Sequence, residues 1–264
     1  MLPNPKIFGG AYTWYDLISY CALLIYSIFF IVYGIRKMKL KVVELLIILY
    51  MCTIIGTIGS KSFSVLEKFF LSDFSFYQYD FIGDFKNGSG HRWYGSLSLI
   101  LMISPIMLLK YSKERFLLIL DLICLGACLS LVIGKIACFL DGHWGCYGIA
   151  TNLPWGVTFP YGRAPSLIPV HPIQIYDSIF HTFLFISLII RNNRYAGEIA
   201  MLFLISTSLY NILIEFIRTN SSVFWQLSFA QVVYTFIFLI TISISANPLK
   251  KLYNHRVLGY NNGV

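Results

Sequence analysis

Lys135, Cys138, Asp141, His143 and Cys146 are threaded between glycines in the stretch GKIACFLDGHWGCYG, residues 134–148. The run before it, LLILDLICLGACLSLVI, is built for lipid apart from Asp121. An unpaired charge at such depth costs a few kcal/mol or more, so these groups need partners or a task. Glycines let backbone N–H groups approach a ligand closely, and Lys135 with His143 would bracket an anionic headgroup at the membrane surface. Cys138 and Asp141 would line the same cradle. A scaffold reading stands beside this one, in which Cys138 and Cys146 close a disulfide that only stiffens the loop. The chain has no C-x-x-C pair and no zinc-ligand spacing, so no metal is expected.

Three further stretches hold chemistry-bearing groups. In SLYNILIEFIRTN, Asn211, Glu215 and Arg218 are spaced to share one helical face. Arg218 would bind an anionic headgroup while Glu215 orients it or moves a proton; alternatively the two form a pair that merely fixes packing. VHPIQIYDSIFH gathers His171, Gln174, Tyr176, Asp177 and His181 within three turns, with Pro172 suited to the first turn of a helix. These are substrate contacts or polar residues at a helix start. His91 and Tyr94 stand in GSGHRWYGSLSL, and Tyr15 in AYTWYDL, where aromatic rings also serve as interfacial anchors.

The elements that must position these groups are membrane helices. The chain is 57% hydrophobic, 17% aromatic and only 12% charged, with a mean hydropathy of +0.71, which excludes an ordinary soluble domain. Apolar runs at about 16–35, 42–60, 95–110, 116–134, 174–190, 198–217 and 227–246 each approach the length that spans a hydrocarbon core. The expectation is an all-α integral membrane protein with seven transmembrane helices, forming a single polytopic domain over 1–264. The net charge of +8 reflects placement and not a nucleic-acid partner. Loops after the first, third, fifth and seventh runs hold Arg36, Lys37, Lys39, Lys41, Lys110, Lys113, Arg115, Arg191, Arg194, Lys250, Lys251 and Arg256. By the positive-inside rule these loops are cytoplasmic. The N-terminus then lies outside and the C-terminus inside, with outer-face segments at about 61–93 and 135–173. Basic residues follow the first run, the reverse of a cleavable signal peptide, so it is expected to stay as a helix. No internal repeat is visible, which gives no support to a transporter built from inverted halves. Phe63, Leu66 and Phe70 suggest an amphipathic, membrane-hugging linker. Residues 139–173, rich in glycine and proline, read as a long irregular loop, and such loops are usually functional.

TWYD, WYGSL, GKIACFLDGHWGCYG, LPWGVTFP, HPIQIYDS and EFIRTN, taken in this order, resemble the prolipoprotein diacylglyceryl transferase family, and the similarity runs through nearly the whole chain. The resemblance implies an enzyme of the bacterial inner membrane. It would transfer a diacylglyceryl group from phosphatidylglycerol to the lipobox cysteine thiol of preprolipoproteins, without metal or organic cofactor. Its partners would be phosphatidylglycerol and preprolipoprotein signal peptides. On this reading Lys135 and Arg218 bind phosphate. Glu215, Tyr94 and Tyr15 line the reacting centre, with His91, His143 or His171 as base, and Asn211, Cys138, Asp141, Gln174 and Tyr176 complete the substrate site.

The chain also departs from the family pattern. Lys135 and Cys138 stand where the family has arginine and asparagine, and Asn211 where it has arginine. Tyr94, Gly95 and Ser96 replace histidine and two glycines, and His143 falls where an acidic residue is usual. A lysine binds phosphate as a point charge and not as a fork. The substitutions suggest a divergent branch, and the alternative is a catalytically altered or inactive lipid-binding paralogue. A seven-helix receptor or transporter is disfavoured, because the polar clusters gather at one end of several helices.

Overall fold

The computed structural model describes residues 14–71, 81–83, 85, 92–142, 146–162, 164–191, 195–219, 222–224 and 226–246. The helices are α1 (Trp14–Met38), α2 (Val42–Leu71), the single turn α3 (Phe81–Gly83), α4 (Trp93–Ile103), α5 (Lys113–Asp141), α6 (Ile173–Ile189), α7 (Glu198–Ile214) and α8 (Phe229–Ala246). Two short antiparallel hairpins interrupt them. β1 (Val157–Phe159) pairs with β2 (Ser166–Val170), and β3 (Ser222–Phe224) with β4 (Leu227–Ser228).

Helix α5 is the axis of the molecule, packing on α1, α6 and α7. It starts where the Ser112 side chain accepts the Arg115 N–H. It stops at Gly142, whose left-handed backbone (φ 57°) lets its N–H return to the Cys138 carbonyl. Leu125, Cys128, Ile199 and Phe203 fill the interior between α5 and α7. The outward faces stay apolar, with Leu24, Ile47, Phe183 and Ile240 all exposed. That is the surface a lipid-facing bundle presents. Helices α2 and α4 cross at Gly59 and Gly95, where a Cβ on either residue would lie 2.5 Å from the other's carbonyl oxygen.

The sequence expectation of seven spanning helices is corrected by the fold. Helices form at all seven predicted places, but among the described residues four segments are long and apolar enough to cross a membrane: Tyr15–Lys37, Val42–Leu71, Lys113–Asp141 and Glu198–Ile217. The helices at Trp93–Leu109, Ile173–Ile189 and Phe229–Ser245 are shorter. Each has a local cause. The first tightens into a 3-10 turn at Ser104–Leu109, where Pro105 interrupts the α-helical ladder. The second cannot begin until β2 and Pro172 have passed, and the third begins only after the two residues of β4. The helix packing assigns no side of a membrane to either terminus and so does not determine the expected N-outside, C-cytoplasmic layout. The segment that holds Phe63, Leu66 and Phe70 is helical as far as Leu71 and continues α2, not a separate linker, and the irregular loop at 139–173 contains the last turn of α5 and the β1–β2 hairpin.

Candidate active site

Three helical elements end close together and bring charge into the bundle. Lys135, in the last third of α5, places its Nζ 2.5 Å from Asp177 Oδ2. Arg218, just past α7, places Nη2 3.1 Å from the same oxygen and Nε 3.2 Å from Glu215 Oε2. The Tyr210 hydroxyl donates to Asp177 Oδ1 at 2.9 Å, and Ser228 Oγ donates to Glu215 Oε1 at 3.1 Å. Asp177 is 1% exposed and the Arg218 side chain 10%. Burial alone would lower the Arg218 pKa, but the Asp177 and Glu215 carboxylates raise it, so the guanidinium is locked in its charged form.

The backbone fixes Arg218 as firmly as its charges do. After α7, Glu215–Ile217 form a 3-10 turn, and Arg218 then turns extended and bridges to Gly148. Ile149 N–H donates to the Ile217 carbonyl at 2.9 Å, and Thr219 Oγ1 donates to the Tyr147 carbonyl at 3.0 Å. A Cβ on Gly148 would collide with the Ile217 carbonyl. Tyr147 itself is buried and stacks on Phe159, ring centroids 5.3 Å apart, and burial raises its phenol pKa.

A second polar group adjoins the first. The Tyr94 hydroxyl donates to Glu67 Oε2 at 2.7 Å, and Arg92 Nε lies 2.6 Å from the same oxygen. The Tyr94 ring packs edge-on against Phe63 and Tyr234. Phe63 and Ser98 also line an apolar cavity of about 1070 Å³ between α4, α5, α7 and α8, which runs to Ser112 and Lys113 at the far end. Phe63 thus touches both the apolar cavity and the Tyr94 ring, whose hydroxyl is held at Glu67.

The structure brings Lys135, Glu215 and Arg218 together around Asp177, with Tyr94 within electrostatic reach of Glu215. Tyr15 lies within electrostatic reach of Cys138, Cys146 and the buried Asp141. Others go elsewhere. Asn211 turns its amide back to the Thr207 carbonyl of its own helix. His171 bonds Tyr176, whose hydroxyl also accepts from Trp155 Nε1, forming a separate polar group. Gln174 is fully buried, its amide without a hydrogen-bond partner among the described residues. His91 and His143 lie outside the described residues.

Asp177, Tyr210, Ser228, Glu67 and Arg92 were not assigned to the site from sequence. A signal existed for Asp177: two cations at membrane depth demand a carboxylate, and an acid inside an apolar helix is the natural supplier. Glu67 was hidden because its segment read as a linker.

Fold and site together define a helical protein with four membrane-length apolar segments among the described residues and a buried charge cluster where three elements converge. The profile of the prolipoprotein diacylglyceryl transferase family matches residues 6–246, and the chain belongs to that family. A phosphatidylglycerol–prolipoprotein diacylglyceryl transferase of Clostridioides difficile is 26% identical over 230 residues, 86% of this chain and 87% of that one. Similar enzymes of Clostridium tetani and Mannheimia succiniciproducens are 36% and 28% identical over 134 and 151 residues. The chain spans about half the length of those two relatives, 53% and 54%.

Proposed function

We propose that the protein transfers a diacylglyceryl group from phosphatidylglycerol to the lipobox cysteine thiol of preprolipoproteins in the bacterial inner membrane. The observation that carries the reading is the meeting of Lys135 and Arg218, from different elements, on one buried carboxylate. In the reaction a C–S bond forms as the bond between glycerol carbon and phosphate oxygen breaks. Glycerol phosphate leaves with the electron pair, and the thiol loses its proton to a base. Lys135 and Arg218 shift from Asp177 to the phosphate and neutralise the charge that develops on it. Glu215 and Ser228 keep Arg218 oriented, Tyr94 faces the reacting carbon, and the acyl chains occupy the cavity beyond Phe63. Family membership and the named activity of the relatives support this assignment.

The test is turnover of phosphatidylglycerol with a lipobox peptide in proteoliposomes. Arg218→Ala and Lys135→Ala should each reduce it about tenfold or more, since a charge-assisted hydrogen bond is worth about 1.5–3 kcal/mol. Lys135→Arg should be tolerated. If both alanine variants turn over lipid like the parent, the assignment fails. One observation favours a second reading, a lipid-binding paralogue without activity: both cations already have carboxylate partners, so the cluster is neutral before any phosphate arrives. That reading predicts phosphatidylglycerol binding without turnover, and no rescue of a strain depleted of its own transferase.

A further inference from the structure

The two cysteines at this end of the bundle have no part in the proposed reaction, and their placement gives them one. Cys138 sits on α5 one turn beyond Lys135. Cys146 immediately precedes Tyr147 and Gly148, the residues whose backbone is tied to Thr219 and Arg218. The two thiols are in hydrogen-bond contact with each other, neither is in a disulfide, and both are half-buried. They differ in this from the other cysteines: Cys21 is exposed on α1, Cys52 lies within α2, and Cys124 and Cys128 are buried in the interior of the bundle.

We propose that Cys138 and Cys146 form a reversible disulfide that clamps the helix carrying Lys135 to the strand-like segment holding Arg218, and so fixes the spacing of the two cations. The oxidant is an external disulfide. One thiol loses its proton and attacks a sulfur of that disulfide, releasing one external thiol. The second cysteine then loses its proton, displaces the other external thiol and closes the Cys138–Cys146 bond. Two protein thiols are oxidised by two electrons and one external disulfide is reduced to two thiols. The link joins α5 to a residue two positions before Gly148, which bridges to Arg218, so it ties two elements whose present connection is non-covalent. In the proposed reaction Lys135 and Arg218 must both move from Asp177 to phosphate, and a fixed spacing hinders that movement.

The test uses the full-length protein in detergent or phosphatidylglycerol nanodiscs, treated with glutathione disulfide. Intact-mass and peptide analysis should show a loss of two hydrogens, about 2 Da, located to a Cys138–Cys146 linkage and reversed by dithiothreitol. The thermal midpoint should rise by about 5 °C, the size expected for closing a short ring. C138S and C146S should each lack both effects, and C21S should retain them. Glutathione adducts on the two cysteines separately, or a midpoint unchanged after full linkage, would overturn the clamp. Where the reduced protein is active, oxidation should lower turnover at least threefold, and unchanged turnover would refute the regulatory role. A reduced form without turnover would count against the proposed reaction and leave the mass and midpoint readouts intact.

Discussion

Asp177→Asn puts an amide of the same shape at the point where Lys135, Arg218 and Tyr210 converge. The cluster then holds two cations and a single carboxylate, Glu215, which pairs with Arg218. Lys135, whose side chain is 17% exposed, is left facing an uncharged group. Removing one partner of a buried ion pair costs about 3–5 kcal/mol, because the other charge remains buried without compensation. Lys135→Met should cost less, about 1–3 kcal/mol, since Asp177 keeps Arg218 and Tyr210. The double variant should be milder than the sum of the two by about 1–3 kcal/mol, because the lysine that the amide strands is gone. The measurement is equilibrium unfolding of the four proteins in mild detergent, followed by circular dichroism. A single Asp177→Asn effect below about 0.5 kcal/mol, or strict additivity in the cycle, would refute the view that Asp177 neutralises both cations.

Asp121, on α5, accepts the N–H groups of Gly197 and Ala200 at 2.8 and 2.7 Å and so caps α7 from a neighbouring helix. Asp121→Ala should destabilise the protein by about 2–4 kcal/mol and speed hydrogen exchange at 197–200, which exchange mass spectrometry would read. At the α2–α4 crossing, Gly95→Leu should prevent recovery of folded protein. Gly56→Ala should be tolerated, because its added Cβ would come no closer than 3.6 Å to another atom; size-exclusion profiles distinguish the two. Tyr94→Phe removes the donor to buried Glu67 and should cost about 1–3 kcal/mol by thermal unfolding while lowering lipid turnover.

The helices were legible because lipid demands long apolar runs, and α5 was found where the composition placed it. Their ends were harder to read. Residues 61–71 read as an amphipathic linker because Lys61, Glu67 and Lys68 lower the apolar signal, although the helix continues and buries Glu67 against Arg92 and Tyr94. The cations of the site were legible as charges out of place. Their common carboxylate was not, because which acid faces which base is decided by how α5, α6 and α7 pack. The Asn211 amide illustrates the same limit: spacing put it on the face of Glu215 and Arg218, but its acceptor is a carbonyl of its own helix.

The order of the charged residues along the chain also bears on biogenesis. Lys135 and Asp177 lie on consecutive helices, so the first ion pair needs only α5 and α6 to meet. Arg218 follows a further helix later, a delay of seconds at about 5–20 residues per second of synthesis. The lysine is therefore neutralised while the nascent chain is still incomplete, and its helix need not remain in lipid as a lone cation. The arginine emerges with Glu215 beside it and enters a site that already offers a carboxylate. A ribosome stalled after α6 would leave an intermediate in which Lys135 already has its carboxylate, whereas loss of α6 would strand Lys135 and leave Arg218 with Glu215 alone.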